Sequence, residues 1–271
     1  MTMILESSET FLSIKKWKEQ IPGLAAIFST RNGGSSREGF SSLNTGLHVQ
    51  DEPFNVITNR NIVGANAKAP LEEWVCAEQI HGSYIKEVDR TYKGRGSTNY
   101  QDSIKGSDGL WTCESNVYLS LCFADCVPLY FVEPNSRFIG LAHAGWKGTV
   151  QNIAGKMIQK ASESGVDASR IQVYIGPSIG KCCYEVDETV ADQVKHCLNR
   201  EDHSSLTKKT NGKYNLDLKM LNKQLLEDSG LKKEQITLAS NCTSCEEDLF
   251  FSHRRDFGKT GRMSAVIGWR E

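Results

Sequence analysis

The chain has 271 residues, 39% hydrophobic and 24% charged, enough for one large domain or two small ones with a sizeable buried core. With 32 Lys and Arg against 33 Asp and Glu, the formal charge is −1, which offers no general attraction to nucleic acid or an anionic membrane and leaves only local anion sites. No apolar run reaches the roughly 18 residues a membrane-spanning helix needs. The opening MTMILESSETFLSIKKWKEQ lacks the basic start and apolar core of a secretory signal, and the nine cysteines are odd in number. A cytoplasmic protein with reduced thiols is the expectation, most of them small buried groups.

In chain order, LAAIFS (24–29) reads as a strand running into the turn-like STRNGGSS, and ITNRNIVGANAK (57–68) reads as a helix. YIKEV (84–88) is a short strand. The polar, Gly- and Ser-rich stretch 90–108 reads as a long loop, a candidate lid or plain surface. VYLSLCF (117–123), VPLYFVE (127–133) and FIGLAH (138–143) are strands by length and by aromatic and β-branched content. The turn EPNS predicts that the last two pair as a hairpin, which brings Cys126 and His143 to the same end. A single helix is predicted over 147–165, with Val150, Ile153, Ala154, Met157, Ile158 and Ala161 on one stripe and Gly165 as its stop. IQVYIG (171–176) is a strand, DLKMLNKQLLEDSG (217–230) a helix, and ITLA and MSAVIG late strands. The polar stretch 199–214 reads as a surface excursion rather than a domain linker.

Three residues beside turn or strand-end signals carry the chemistry: His81 in EQIHGS, Cys126 in ADCVP and His143 in AHAGW. Their wide spacing differs from the rhythm of structural zinc sites and matches the open catalytic type, three protein ligands and a free position. The alternative is three unconnected buried residues. Gln79 and Asp125 are candidates to orient ligands or substrate, and Asp108 is either a carboxylate at the site rim or a turn aspartate. Arg31 beside Asn-Gly-Gly offers an anion nest, with a plain hairpin turn as the other reading. Lys147, Gly148 and Thr149 open the predicted helix and offer a second anion pocket near His143. The C-x2-C of Cys242 and Cys245 stands alone, with Cys182 and Cys183 adjacent rather than spaced, and is read as no site.

Together STRNGG…SSLNTGLHV, EQIHGS, SDGL, FADCVPL, AHAGWKGTV, IGPSIGKCCYEV and FFSHRRD, in this order over residues 29–256, resemble the YfiH/YlmD family of purine nucleoside phosphorylases, long labelled polyphenol oxidases or laccase-domain proteins. The resemblance covers essentially the whole chain. It implies a single α+β domain over 1–271, with two mixed sheets and outer helices, distantly similar to the cytotoxic-necrotizing-factor type of cysteine hydrolase fold. It implies zinc on His81, Cys126 and His143, and substrate contacts from Arg31, Asn44, Gln79, Asp108, Asp125 and Lys147. It also implies phosphorolysis of adenosine, inosine, guanosine and methylthioadenosine, and deamination of adenosine, by a monomer or weak homodimer. Lys147 departs from the arginine of many relatives and would be a point charge rather than a fork. Two other readings stand beside this one: a metal-free cysteine hydrolase or deamidase using Cys126 and His143, and a copper polyphenol oxidase. The second needs His-X-His pairs and more histidines than the six present, none of which forms such a pair.

Overall fold

The structure is a computed structural model that describes residues 5–198 and 202–271. Its elements in order are β1 (Leu5–Ser7), β2 (Phe11–Ile14), α1 (Lys15–Gln20), β3 (Leu24–Ser29), α2 (Pro53–Ala67), β4 (Trp74–Cys76), β5 (Ile85–Glu87), β6 (Gly109–Thr112), β7 (Tyr118–Phe123), β8 (Val127–Glu133) and β9 (Phe138–Ala144). They continue with α3 (Trp146–Val150), α4 (Ile153–Glu163), β10 (Gln172–Ile175), β11 (Glu185–Val186), α5 (Glu188–Cys197), β12 (Leu206–Lys208), β13 (Tyr214–Leu216), α6 (Leu218–Asp228), β14 (Ile236–Leu238) and β15 (Met263–Trp269).

The fold is α+β, with mixed sheets as expected. One runs β1-β2-β3-β15-β7-β4 and the other β14-β10-β8-β9-β6-β5; β11, β13 and β12 form a small third sheet. Both large sheets are antiparallel inside and parallel at an edge, through β4 with β7, β5 with β6 and β10 with β14.

Strand alternation builds the layers. Along β3, Leu24, Ala26 and Phe28 join the core between the sheets, while Ala25 and Ile27 face the layer of α2. Along β9, Ile139 and Leu141 join the same inter-sheet core, while Phe138, Ala142 and Ala144 pack under α4 and α6. His143 falls on the inward register, so its imidazole enters between the sheets beside Phe123 of β7, with ring centroids 5.3 Å apart. The predicted hairpin is present: Pro128 pairs with His143 and Val127 with Ala144, so Cys126 sits one residue before the paired end.

Two expectations need correction. The stretch 147–165 holds two helices, because Asn152 takes a left-handed φ of 57° and its side chain accepts the Gly155 N–H. The apolar stripe still holds over α4, where Ile153, Ala154, Met157, Ile158 and Ala161 are buried. Nor is the 90–108 stretch a loose cover. Buried Arg60 of α2 donates to the carbonyls of Gly96 and Ser97 at 2.6 and 2.8 Å, and the Asp102 carboxylate accepts the Gly96 N–H at 2.7 Å. Of the predicted excursion at 199–214, residues 199–201 lie outside the described residues, and part of the remainder forms β12. Among the described residues no helix is long and apolar enough to cross a membrane.

Candidate metal centre

His81, Cys126 and His143 come together: their ligand atoms lie within 4.8 Å of one another. Each is delivered by a different device. His143 arrives by strand register. Cys126 follows Asp125, whose φ is 84°, and His81 itself has φ 60°. Such left-handed positions are uncommon for residues other than glycine and persist only where the surroundings fix them.

Asp108 fixes His81. Its fully buried carboxylate accepts the backbone N–H groups of Ile80, His81 and Gly82 at 3.1, 3.0 and 2.7 Å. The same group bonds His143 Nδ1 at 2.8 Å. Burial alone would raise the Asp108 pKa, but the bonds from His143 and from the Gly82 and Ile80 N–H groups hold it below the ordinary value. With Nδ1 occupied, Nε2 is the His143 nitrogen left for a ligand role.

Asp125 does the corresponding work for Cys126. It accepts from Thr243 Oγ1 at 2.6 Å, Ser252 Oγ at 3.0 Å and the Arg254 N–H at 2.7 Å. Burial pushes the Cys126 thiol up, yet the His143 charge and hydrogen bonds from His143 and His81 outweigh it and bring the thiol down to about 6. Burial likewise disfavours the His143 charge, but Cys126 and Asp108 lift that imidazole to about 9.

The glycines of AHAGWKG explain themselves by contact. A Cβ on Gly145 would meet Cys126 Sγ and His81 Cδ2 at 3.1 Å, and one on Gly148 would lie 2.6 Å from the Gly82 carbonyl oxygen. The turn into α3 therefore packs directly on the three ligands.

The donors open onto a cavity of about 370 Å³. Its wall includes Gln79 and Asp125 from the predicted set, with His48, Tyr100, Trp146, Tyr184, His253, Arg254 and Arg262. Gln79 clasps β7: its Nε2 donates to the Cys122 carbonyl and its Oε1 accepts the Cys122 N–H, both at 2.8 Å.

Four predicted residues stand elsewhere. The Arg31 guanidinium is engaged by the Ser41 and Glu247 carbonyls and covers the Phe251 ring, and Arg31 is not among the residues that line the cavity. Asn44 is buried and braces a cavity residue: its Oδ1 accepts the Arg262 N–H at 2.8 Å and its Nδ2 donates to Asp51. Asp108 lies behind the ligands, and Lys147 is exposed with Nζ over the Trp146 ring. Gly148 N–H offers no open pocket, since that glycine is buried against Gly82. Of the charged wall residues, Arg254 lies in HRRD, where the sequence offers Arg254 and Arg255 either as an anion contact or as partners of Asp256, whereas Arg262 carried no local signal and was missed.

The donor set fits a metal. Two imidazoles and a thiolate with an open face match a mononuclear zinc site with a free fourth position, and the Asp108–His143 bond is the usual carboxylate behind a ligating histidine. A multicopper centre does not fit: among the described residues only His81 and His143, of the six histidines, join a metal-capable group. The other such group is Cys182, Cys183, Cys242 and Cys245, so the C-x2-C pair does not stand alone.

The chain is thus an α+β protein with two facing mixed sheets and a candidate His-Cys-His metal site at a strand end. Residues 25–270 match the family described as "Multi-copper polyphenol oxidoreductase laccase", and the chain belongs to it. It is 46% identical over 92% of its length to the purine nucleoside phosphorylase YlmD of Geobacillus stearothermophilus, covering 91% of that protein. It is 45% identical over 94% of its length to the Bacillus subtilis protein of the same name, covering 90% of it. The crystal structure of YlmD from Geobacillus stearothermophilus superposes with a TM-score of 0.95 at 44% identity, covering 99% of each chain. The family's copper label and the relatives' phosphorylase names disagree.

Proposed function

We infer that this chain is a cytoplasmic, zinc-dependent purine nucleoside phosphorylase acting on adenosine, inosine, guanosine and methylthioadenosine, with a second activity as adenosine deaminase. The observation that carries the reading is the open face of His81, Cys126 and His143 on a cavity whose wall also holds Arg254 and Arg262. Nine free cysteines support the reducing compartment.

His81, Cys126 and His143 would hold the zinc ion, which would supply Lewis-acid polarisation and a lowered pKa for bound water. Arg254 and Arg262 present fixed positive charge for a phosphate dianion, in place of Arg31. Tyr100, Trp146 and Tyr184 give the purine an aromatic wall. In phosphorolysis the C1′–N9 bond breaks, a phosphate oxygen bonds C1′, and the base leaves with a proton as free purine beside ribose 1-phosphate. In deamination, water replaces the C6 amino group and ammonia departs.

One observation favours a second reading. Cys126, His143 and Asp108 form the nucleophile, base and orienting-carboxylate series of a thiol hydrolase. Incubating the purified protein with adenosine, with and without phosphate, separates the readings. Phosphate-dependent adenine and ribose 1-phosphate, with inosine formed in its absence, support the phosphorylase. No turnover of any purine nucleoside, with rapid acylation of Cys126 by a thioester in chelated protein, favours the hydrolase.

A further inference from the structure

We propose that Cys182, Cys183, Cys242 and Cys245 form a second, structural metal site, a tetrathiolate holding one zinc ion, which ties a loop of the cavity wall to the turn 242–245 beside it. Nothing in this depends on the reaction proposed above.

The cysteines are some 60 residues apart in the chain and are brought together by strand pairing. β10 and β14 run parallel, with Ile175 opposite Leu238, so they leave the sheet at the same edge. The segments that follow stay in step through a bridge between Ser178 and Cys242, with the Thr243 N–H donating to the Ser178 carbonyl. Cys182 and Cys183 lie a few residues on in the first segment, and the turn 242–245 closes the second with the Cys245 N–H on the Cys242 carbonyl.

All four sulfurs lie within 4.8 Å of one another. The Cys182–Cys242, Cys182–Cys245 and Cys183–Cys245 separations are 3.6, 3.6 and 3.3 Å. A tetrahedral site with Zn–S of about 2.3 Å has S···S edges of about 3.8 Å. A disulfide needs about 2.05 Å, and an iron–sulfur cluster would hold its thiolates farther apart. The arrangement is that of one small ion with four sulfur donors and no open position, the structural type.

The surroundings suit a site with excess negative charge. The Gly180 N–H donates to Cys242 Sγ at 3.1 Å. Lys219 is only 8% exposed and places Nζ 2.6 Å from the carbonyl of Asn241, the residue before Cys242. Gly180 leaves room for the sulfurs: a Cβ there would meet Cys182 Sγ at 3.1 Å and Cys242 Sγ at 3.2 Å.

The site reaches the cavity through Asp125. Thr243, inside the C-x2-C turn, donates to its carboxylate at 2.6 Å, and the Ile179 N–H donates to its carbonyl at 2.9 Å. Ile179 and Tyr184, on either side of the vicinal cysteines, line the cavity itself.

The test is metal analysis of the full chain purified under reducing conditions, beside Cys126→Ala and the double variant Cys182→Ser with Cys245→Ser. One zinc equivalent per chain should be lost in the double variant and retained in Cys126→Ala. Cobalt replacement in the unmutated chain should give the intense visible and charge-transfer absorption of a tetrathiolate, which one thiolate with two imidazoles does not produce. That second readout decides the matter even where the double variant fails to fold. Zinc content unchanged in a folded double variant, a cobalt spectrum without the tetrathiolate bands, or disulfides among the four cysteines under reducing conditions would each overturn the proposal.

Discussion

Asp108 and His143 are joined by a 2.8 Å bond in which one buried carboxylate holds the imidazole of β9 and, through three backbone N–H groups, the turn that carries His81. Two of the three candidate ligands are thus set by a residue outside the candidate set.

Asp108→Asn keeps the shape and removes the charge. Metal affinity should fall about 10–100-fold, as for carboxylates behind ligating histidines, and equilibrium dialysis against a zinc buffer measures it. Asp108→Ala, which also leaves three N–H groups without an acceptor, should lower stability by roughly 3 kcal/mol. The native Asp108 pKa is depressed, so its stabilisation is present above the unfolded value of ~3.9 and lost as pH falls through the lower native value. Acid unfolding of the asparagine variant should therefore show a shallower pH dependence.

Cys126 in chelated protein should be alkylated with a rate that rises through a midpoint near pH 6, the native thiol value. An ordinary cysteine titrates near ~8.5, and exposed Cys113, pushed up by its surroundings, serves as the internal control. Peptide-resolved iodoacetamide labelling checks this. Two equivalents of zinc per chain, one for each metal-capable group, should abolish labelling at Cys126 and leave it unchanged at Cys113.

The two arginine classes should separate in kinetics. Loss of a charge-assisted contact worth ~1.5–3 kcal/mol predicts that Arg262→Ala raises KM for phosphate on the order of 10–100-fold. Arg31→Ala should leave that KM within about twofold while lowering stability, because its guanidinium holds the Ser41 and Glu247 carbonyls.

Gly145→Ala places a methyl 3.1 Å from Cys126 Sγ and His81 Cδ2 and should lower metal occupancy before it lowers stability. Gly148→Ala meets a backbone oxygen at 2.6 Å, which cannot rotate away, and should cost ~1–3 kcal/mol in denaturant unfolding. Occupancy and midpoint, measured on both variants, should move in opposite order.

What was legible in the sequence follows the range of each interaction. The strands β3 and β8 were readable to the residue because alternation and turn residues are local, and the β8–β9 hairpin located Cys126 and His143 with them. Asp108 looked like a turn aspartate because its four partners come from residues 80–82 and 143, segments no local pattern connects. Arg31 sits in a turn with the composition of an anion nest, and only the packed chain shows its guanidinium turned toward the Ser41 and Glu247 carbonyls. The break at Asn152 was hidden because the apolar stripe continues across it while the capping side chain does not announce its conformation. The four-cysteine group was missed because it depends on parallel pairing of β10 with β14.

Zinc content measured together with phosphorolysis in the unmutated chain, Cys126→Ala and His143→Ala tests directly whether the His81–Cys126–His143 metal carries the reaction. Each substitution should remove one zinc equivalent, and phosphate-dependent release of purine should disappear with it. Undiminished phosphorolysis in Cys126→Ala with the His81–Cys126–His143 metal gone would contradict it.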